Sequence, residues 1–122
     1  MQTQKISNTR RLINATLFSI KGIRAAWRHE TAFRQETFLA GVLTPVAFWL
    51  GNSTGQRALL IFSLLMVLIV ELLNSAVEAV VDRVGTERHP KSELAKDMAS
   101  AAVLLSLIAA VLVWGIIIWE RL

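Results

Sequence analysis

Charge is distributed along this chain in blocks. Residues 37–56 carry no charged side chain, and neither do residues 98–119. Each run is about the 20 residues that a helix rising about 1.5 Å per residue needs to cross roughly 30 Å of hydrocarbon. A third apolar run, 58–81, is interrupted only by Glu71, Asn74 and Glu78. The pattern predicts an all-α membrane protein of one domain, 1–122. Its elements are an amphipathic surface helix over about 7–33, spans over 37–56, 58–82 and 94–119, and a cytoplasmic loop over 83–93. The Gly-Asn-Ser-Thr-Gly run at 51–55 has turn chemistry, and Gly85 and Pro90 interrupt helix in the charged loop.

The basic residues orient these spans. Seven precede the first span (Lys5, Arg10, Arg11, Lys21, Arg24, Arg28, Arg34) and four lie between the second and third (Arg83, Arg88, Lys91, Lys96), whereas only Arg57 and Arg121 fall on the other side. Under the positive-inside rule the N-terminus and the 83–93 loop face the cytoplasm and the C-terminus the periplasm. The formal charge of +4 is then a topology signal, and no nucleic-acid partner is expected. Residues 1–36 contain no short apolar core of a secretory signal. With 54% hydrophobic and 18% charged residues, and no cysteine, the composition excludes a disordered chain, a disulfide scaffold and thiol chemistry.

Ahead of the first span, Leu12, Thr16, Ile20, Ile23 and Trp27 share one arc of a helical wheel. Arg10, Asn14, Lys21, Arg24 and Arg28 share the opposite one, with Leu17 out of place among them. A basic face opposite an apolar face bearing Trp suits a helix lying in the membrane interface. Glu30 falls on its apolar side. Either that carboxylate has a partner or a metal, or the helix breaks near residue 29 and leaves it solvated.

Glu71, Asn74, Ser75, Glu78 and Asp82 form a stripe about 100° wide on the second span, because they stand at helical spacing. Counted from Arg57, Glu78 lies about 31 Å along and Glu71 about 21 Å along. Glu78 reaches the cytoplasmic interface and Glu71 lies below it among acyl chains. A carboxylate at that depth is costly unless it is protonated, hydrated, paired or metal-bound. The shallow acid suits a divalent cation and the deep one a proton taken from a lipid hydroxyl. A stripe that merely glues helices together is the alternative. Lys96 beside Asp97 is either an ion-pair partner or a phosphate holder. The standard glycine-rich phosphate cradles are missing, and His29 and His89 lack a second histidine at metal-ligand spacing. Rows of small residues at 40, 44, 47 and 51, and at 95, 99, 102, 106 and 109, suit close helix packing in an oligomer with sites at subunit boundaries.

These residues resemble a known family. The run IVELLNSAVEAVVDR at 69–83, the segments KGIRAAW at 21–27 and AFRQE at 32–36, and AKDMASAAV at 95–103 are similar to those of the small bacterial integral-membrane diacylglycerol kinases, over nearly the whole chain. The resemblance implies a homotrimer of three-span subunits in the bacterial inner membrane, moving the γ-phosphate of ATP to diacylglycerol with Mg²⁺. By position Glu71 matches the catalytic base, Glu30 and Glu78 the metal-binding acids, and Asn74, Lys96 and Asp97 residues around the phosphates. Arg11, Phe18, Glu87, Arg88 and His89 fall where the family contacts nucleotide, although Phe18 lacks the aromatic hydroxyl that relatives can carry there. Arg24, Trp27, Phe33, Gln35, Glu36, Trp49, Arg57, Ser100 and Trp114 fall along the lipid site with Glu71. A sister branch phosphorylates undecaprenol, but RAAW at 24–27 and the long N-terminal helix look more like the diacylglycerol branch. From another class, a small cation-coupled transporter would also place acids within a span.

Overall fold

The computed structural model describes residues 7–122; Lys5, one of the basic residues counted above, lies outside them. Four helices follow in order, α1 (Asn8–His29), α2 (Thr31–Leu50), α3 (Thr54–Val84) and α4 (Pro90–Arg121), and no strand occurs among the described residues. Polar side chains set three of the starts. Ser7 Oγ accepts from the Arg10 N–H at 3.3 Å, Ser53 Oγ from the Gln56 N–H at 3.1 Å, and His89 Nδ1 from the Lys91 N–H at 3.1 Å. Each satisfies a donor that a helix start leaves free.

The helix boundaries differ from the sequence expectation in three places. The first helix stops at His29 and not near 33, because Glu30 adopts extended backbone (φ −114, ψ 105) and starts a new helix axis. The first apolar run is divided at Leu50 by the turn before Thr54. Pro90 opens α4, where a proline's missing N–H costs nothing. The connection expected over 83–93 is thereby shortened to 85–89. Pro45 lies inside α2 without ending it; the residue four back, whose carbonyl a proline crowds, is Gly41.

α3 is the central helix. It packs along α4, less extensively on α2, and only lightly on α1, which buries a single residue, Ala26. The densest packing is beside the 51–53 turn, where Ala47, Leu50, Leu60 and Ile117 are buried against Ile61, Val113 and Trp114. Trp114 Nε1 donates to Ser63 Oγ at 3.1 Å, and Ser63 Oγ donates to the Leu60 carbonyl at 2.7 Å, so the indole's polar edge is satisfied inside the bundle.

Elsewhere the apolar side chains face outward, among them Leu73, Leu105, Val111 and Trp119. α3 and α4, with 31 and 32 residues, are each long and apolar enough to cross a membrane. They measure about 46 and 48 Å, against roughly 30 Å of hydrocarbon. α2, at 20 residues, is about 30 Å long, but its first turns carry Arg34, Gln35 and Glu36. Apolar side chains turned outward around a satisfied helical backbone fit a lipid surrounding.

Candidate active site

Glu71, on α3, is the buried acid of the molecule, 5% exposed. α3 presents it on the same side as Asn74, Ser75 and Glu78 because three-, four- and seven-residue steps return to one face. α2 brings Glu36 opposite. The Glu36 carboxyl and the Asn74 amide are neighbours of the Glu71 carboxyl. Glu30, at the α1–α2 elbow, and Glu78, two turns along α3, are close enough for their charges to act on Glu71.

Polar atoms around this group lack partners. Glu36 Oε2, Thr37 Oγ1, Asn74 Oδ1 and Ser75 Oγ are buried with no hydrogen bond. Buried polar groups are ordinarily paired, so a set of unpaired ones marks a place where something else supplies the contacts. Among the described residues no three acids or histidines converge tightly enough to hold a metal by themselves. Mg²⁺ does not need them, because it is commonly held by one or two carboxylates together with phosphate oxygens and water. Two hard carboxylates near unpaired oxygen acceptors fit that demand.

Clefts open on either side of α1. One of about 600 Å³ lies between its Ser19, Gly22, Ala26 and Glu30 and the Leu72, Ser75 and Ala79 side of α3. Another of about 630 Å³ is lined by Arg24, Trp27, Phe33 and Thr37 with Leu65 and Ile69. A narrower apolar groove of about 270 Å³ runs between α2, α3 and α4 from Glu36 to Trp114. Where α3 leaves for the loop, Asp82, Glu87, Arg88, His89, Glu93 and Lys96 surround a polar cleft of about 450 Å³. In it Lys96 Nζ pairs with Asp82 Oδ1 at 2.8 Å, and Arg88 pairs with Glu93.

The arrangement joins some of the residues singled out from the sequence and separates others. Glu30, Glu36, Glu71, Asn74 and Glu78 come together, and Arg24, Trp27 and Phe33 line one cleft. Lys96, Glu87, Arg88 and His89 share the loop cleft, with Asp97 exposed beside it. Arg11, Phe18, Gln35 and Ser100 are exposed, and Lys21 Nζ lies 5.7 Å from the Phe18 ring centre. Trp49 and Arg57 are elsewhere, at the 51–53 turn, where Arg57 Nε donates to the Phe48 carbonyl at 3.1 Å. Fourteen residues of α3 separate Arg57 from Glu71, roughly 21 Å.

The family model described as prokaryotic diacylglycerol kinase matches residues 17–118. This chain belongs to that family. Its relatives include the diacylglycerol kinase of Escherichia coli, 52% identical over 111 residues, or 91% of both chains. That of Haemophilus influenzae is 50% identical over 91% of this chain and 94% of its own. That of Pseudomonas aeruginosa is 54% identical over 109 residues and 89% of each chain. The protein is therefore an enzyme, a kinase, and its outward-facing apolar helices are those of a membrane protein.

Sequence reasoning counted Arg34 only as a charge. It is the most connected polar side chain of the α1–α2 elbow, with three hydrogen bonds. Nothing in local spacing separates it from the neighbouring basic residues, because its partners are backbone carbonyls that become available only when α1 stops at His29.

Proposed function

We propose that this kinase transfers the γ-phosphate of ATP to the hydroxyl of diacylglycerol at the cytoplasmic face of the bacterial inner membrane, forming phosphatidic acid. The acceptor follows from membership of the family. The observation that carries the mechanism is the buried Glu71 with Glu30, Glu36 and Glu78 gathered around it where α1 meets the bundle. The subunit crosses the membrane three times through α2, α3 and α4, with its N-terminus inside and its C-terminus in the periplasm. Three subunits assemble as a homotrimer, a reading supported by clefts that stay open on a single subunit.

In this mechanism Glu71 takes the proton from the lipid hydroxyl as the alcohol oxygen bonds to the γ-phosphorus and the bond to the β–γ bridging oxygen breaks, leaving ADP. Glu30 and Glu78 are the residues that would hold Mg²⁺, which would supply neutralising charge for the phosphates. The Asn74 amide orients the γ-phosphate, while Lys96 and Asp97 flank the phosphates from α4. Arg11 and Phe18 on α1 and Glu87, Arg88 and His89 in the loop hold the nucleotide. Arg24, Trp27, Phe33, Gln35, Glu36 and Ser100 position the lipid near the reacting end, and Trp114, Trp49 and Arg57 line its acyl chains toward the far end. Phosphoryl transfer asks mainly for positioning and charge neutralisation, which fixed acids and a cation supply.

Purified protein in detergent micelles with Mg-ATP and either diacylglycerol or undecaprenol, followed by phosphate entering the lipid phase, tests this reading. Label in diacylglycerol that disappears in Glu71→Gln supports it. Label in undecaprenol alone reassigns the acceptor, and label in neither overturns the kinase mechanism.

A further inference from the structure

The α1–α2 elbow is built without the usual means of ending a helix. Helices commonly close on a residue of positive φ, usually glycine, that turns back to satisfy the last carbonyls. No described residue of this chain has positive φ. Of the carbonyls at the end of α1, that of Ala26 accepts the Glu30 N–H at 2.8 Å. Those of Trp27 and Arg28 accept from Arg34 Nη1 at 2.8 and 3.2 Å, while Arg34 Nη2 donates to Thr31 Oγ1 at 3.1 Å. Arg34 comes from the first turn of the next helix. Its own N–H also donates to the Glu30 carbonyl at 3.2 Å. A guanidinium charge suits this place, because the C-terminus of a helix is the negative end of its dipole.

Glu30 is thus bracketed on both sides. It also stands at the N-cap of α2, where a carboxylate commonly folds back onto free N–H groups, yet its side chain makes no cap hydrogen bond. The carboxylate remains free, near Glu71. Arg34 takes part in neither of the two ion pairs found among the described residues, so its charge is engaged by carbonyls and not by the acids.

We infer that Arg34 is a positioning residue for Glu30: by closing the end of α1 with its guanidinium, it holds the elbow extended and presents the Glu30 carboxylate to the metal beside Glu71 and Glu78. This rests on the reading of Glu30 as a metal-binding acid. Arg34 acts through the backbone, by its contacts with the Trp27 and Arg28 carbonyls. Lysine cannot replace it fully, because a single ammonium does not reproduce a planar fork directed at three acceptors.

The test measures Mn²⁺ affinity by electron paramagnetic resonance on the whole protein in micelles, with an ATP analogue whose β–γ bond cannot be cleaved, so that no turnover is involved. Amide hydrogen exchange across the elbow is read on the same samples. Arg34→Ala is expected to weaken Mn²⁺ binding about tenfold or more, the lower end for residues that orient a metal ligand, and to speed exchange at Glu30. Arg34→Lys falls between Ala and wild type in both readouts. Arg34→Ala combined with Glu30→Gln binds no more weakly than Glu30→Gln alone, since both remove one contact. Faster exchange with wild-type Mn²⁺ affinity in either Arg34 variant overturns the inference, as do additive losses in the double variant. Wild-type affinity in Glu30→Gln removes the metal-binding reading itself, and the inference with it. Arg34→Lys keeps the test decisive should the alanine variant fail to fold.

Discussion

The two ends of the bundle solve the same problem in opposite ways. At the 51–53 turn each of the last four carbonyls of α2 finds a donor. Arg121 Nη1 reaches across from α4 to the Trp49 and Leu50 carbonyls at 3.0 and 2.9 Å, its guanidinium lies 4.3 Å from the Trp49 ring centre, and Arg57 caps Phe48. Beneath them Ala47 and Leu60 are completely buried. Gly51 is required there by close approach: a Cβ would lie 2.5 Å from Arg57 Cγ. At the carboxylate end a buried acid faces a second acid, and four buried oxygens are without partners. One end is complete in itself and anchors the helices. The other retains the unpaired polar groups that substrates can use, which is a stability cost that functional sites carry.

The comparison can be broken by mutation. Glu71→Gln preserves size and should lower phosphate transfer by about 10²–10⁴-fold, the scale of a lost general base, with helix content by circular dichroism unchanged. Loss of helix content would instead make Glu71 a structural residue. At the anchored end Leu60→Ala should lower stability by about 2–5 kcal/mol, read as a fall in thermal midpoint, while the rate below that midpoint stays near wild type. Arg121→Gln, which deprives two carbonyls of a charged donor, should cost about 1–3 kcal/mol with the same preserved activity. A large loss of activity in Arg121→Gln at temperatures where it is folded would show that the anchor reaches the chemistry. The smallest effect is expected for Ser75→Ala. It removes an unpaired buried hydroxyl and should leave stability unchanged or raise it by up to about 1 kcal/mol, the opposite sign to Arg121→Gln.

Much of this was legible in the chain itself. The stripe from Glu71 to Asp82 followed from helical spacing, and the charge blocks pointed to long apolar helices, of which α3 and α4 are long and apolar enough to cross a membrane. Boundaries were less legible. Pro90 read as an interruption but opens α4, because a proline ends or begins a helix according to whether the chain before it has already left helical geometry. Glu30 had two readings, a partnered acid on an unbroken helix or a solvated one after a break. The structure combines them: the helix breaks, and Glu30 is still half-buried and close to Glu71.

The sequence by itself determined the helices, their faces and the family, because periodicity and charge are local properties carried by neighbouring residues. Only the tertiary structure decided that Glu36 meets Glu71, that Arg34 closes α1, and that Arg121 caps a helix 71 and 72 residues away. Those contacts join long or buried side chains to partners on other helix segments. They depend on where each helix stops and on the angle at which the next one returns, which spacing along the chain does not encode.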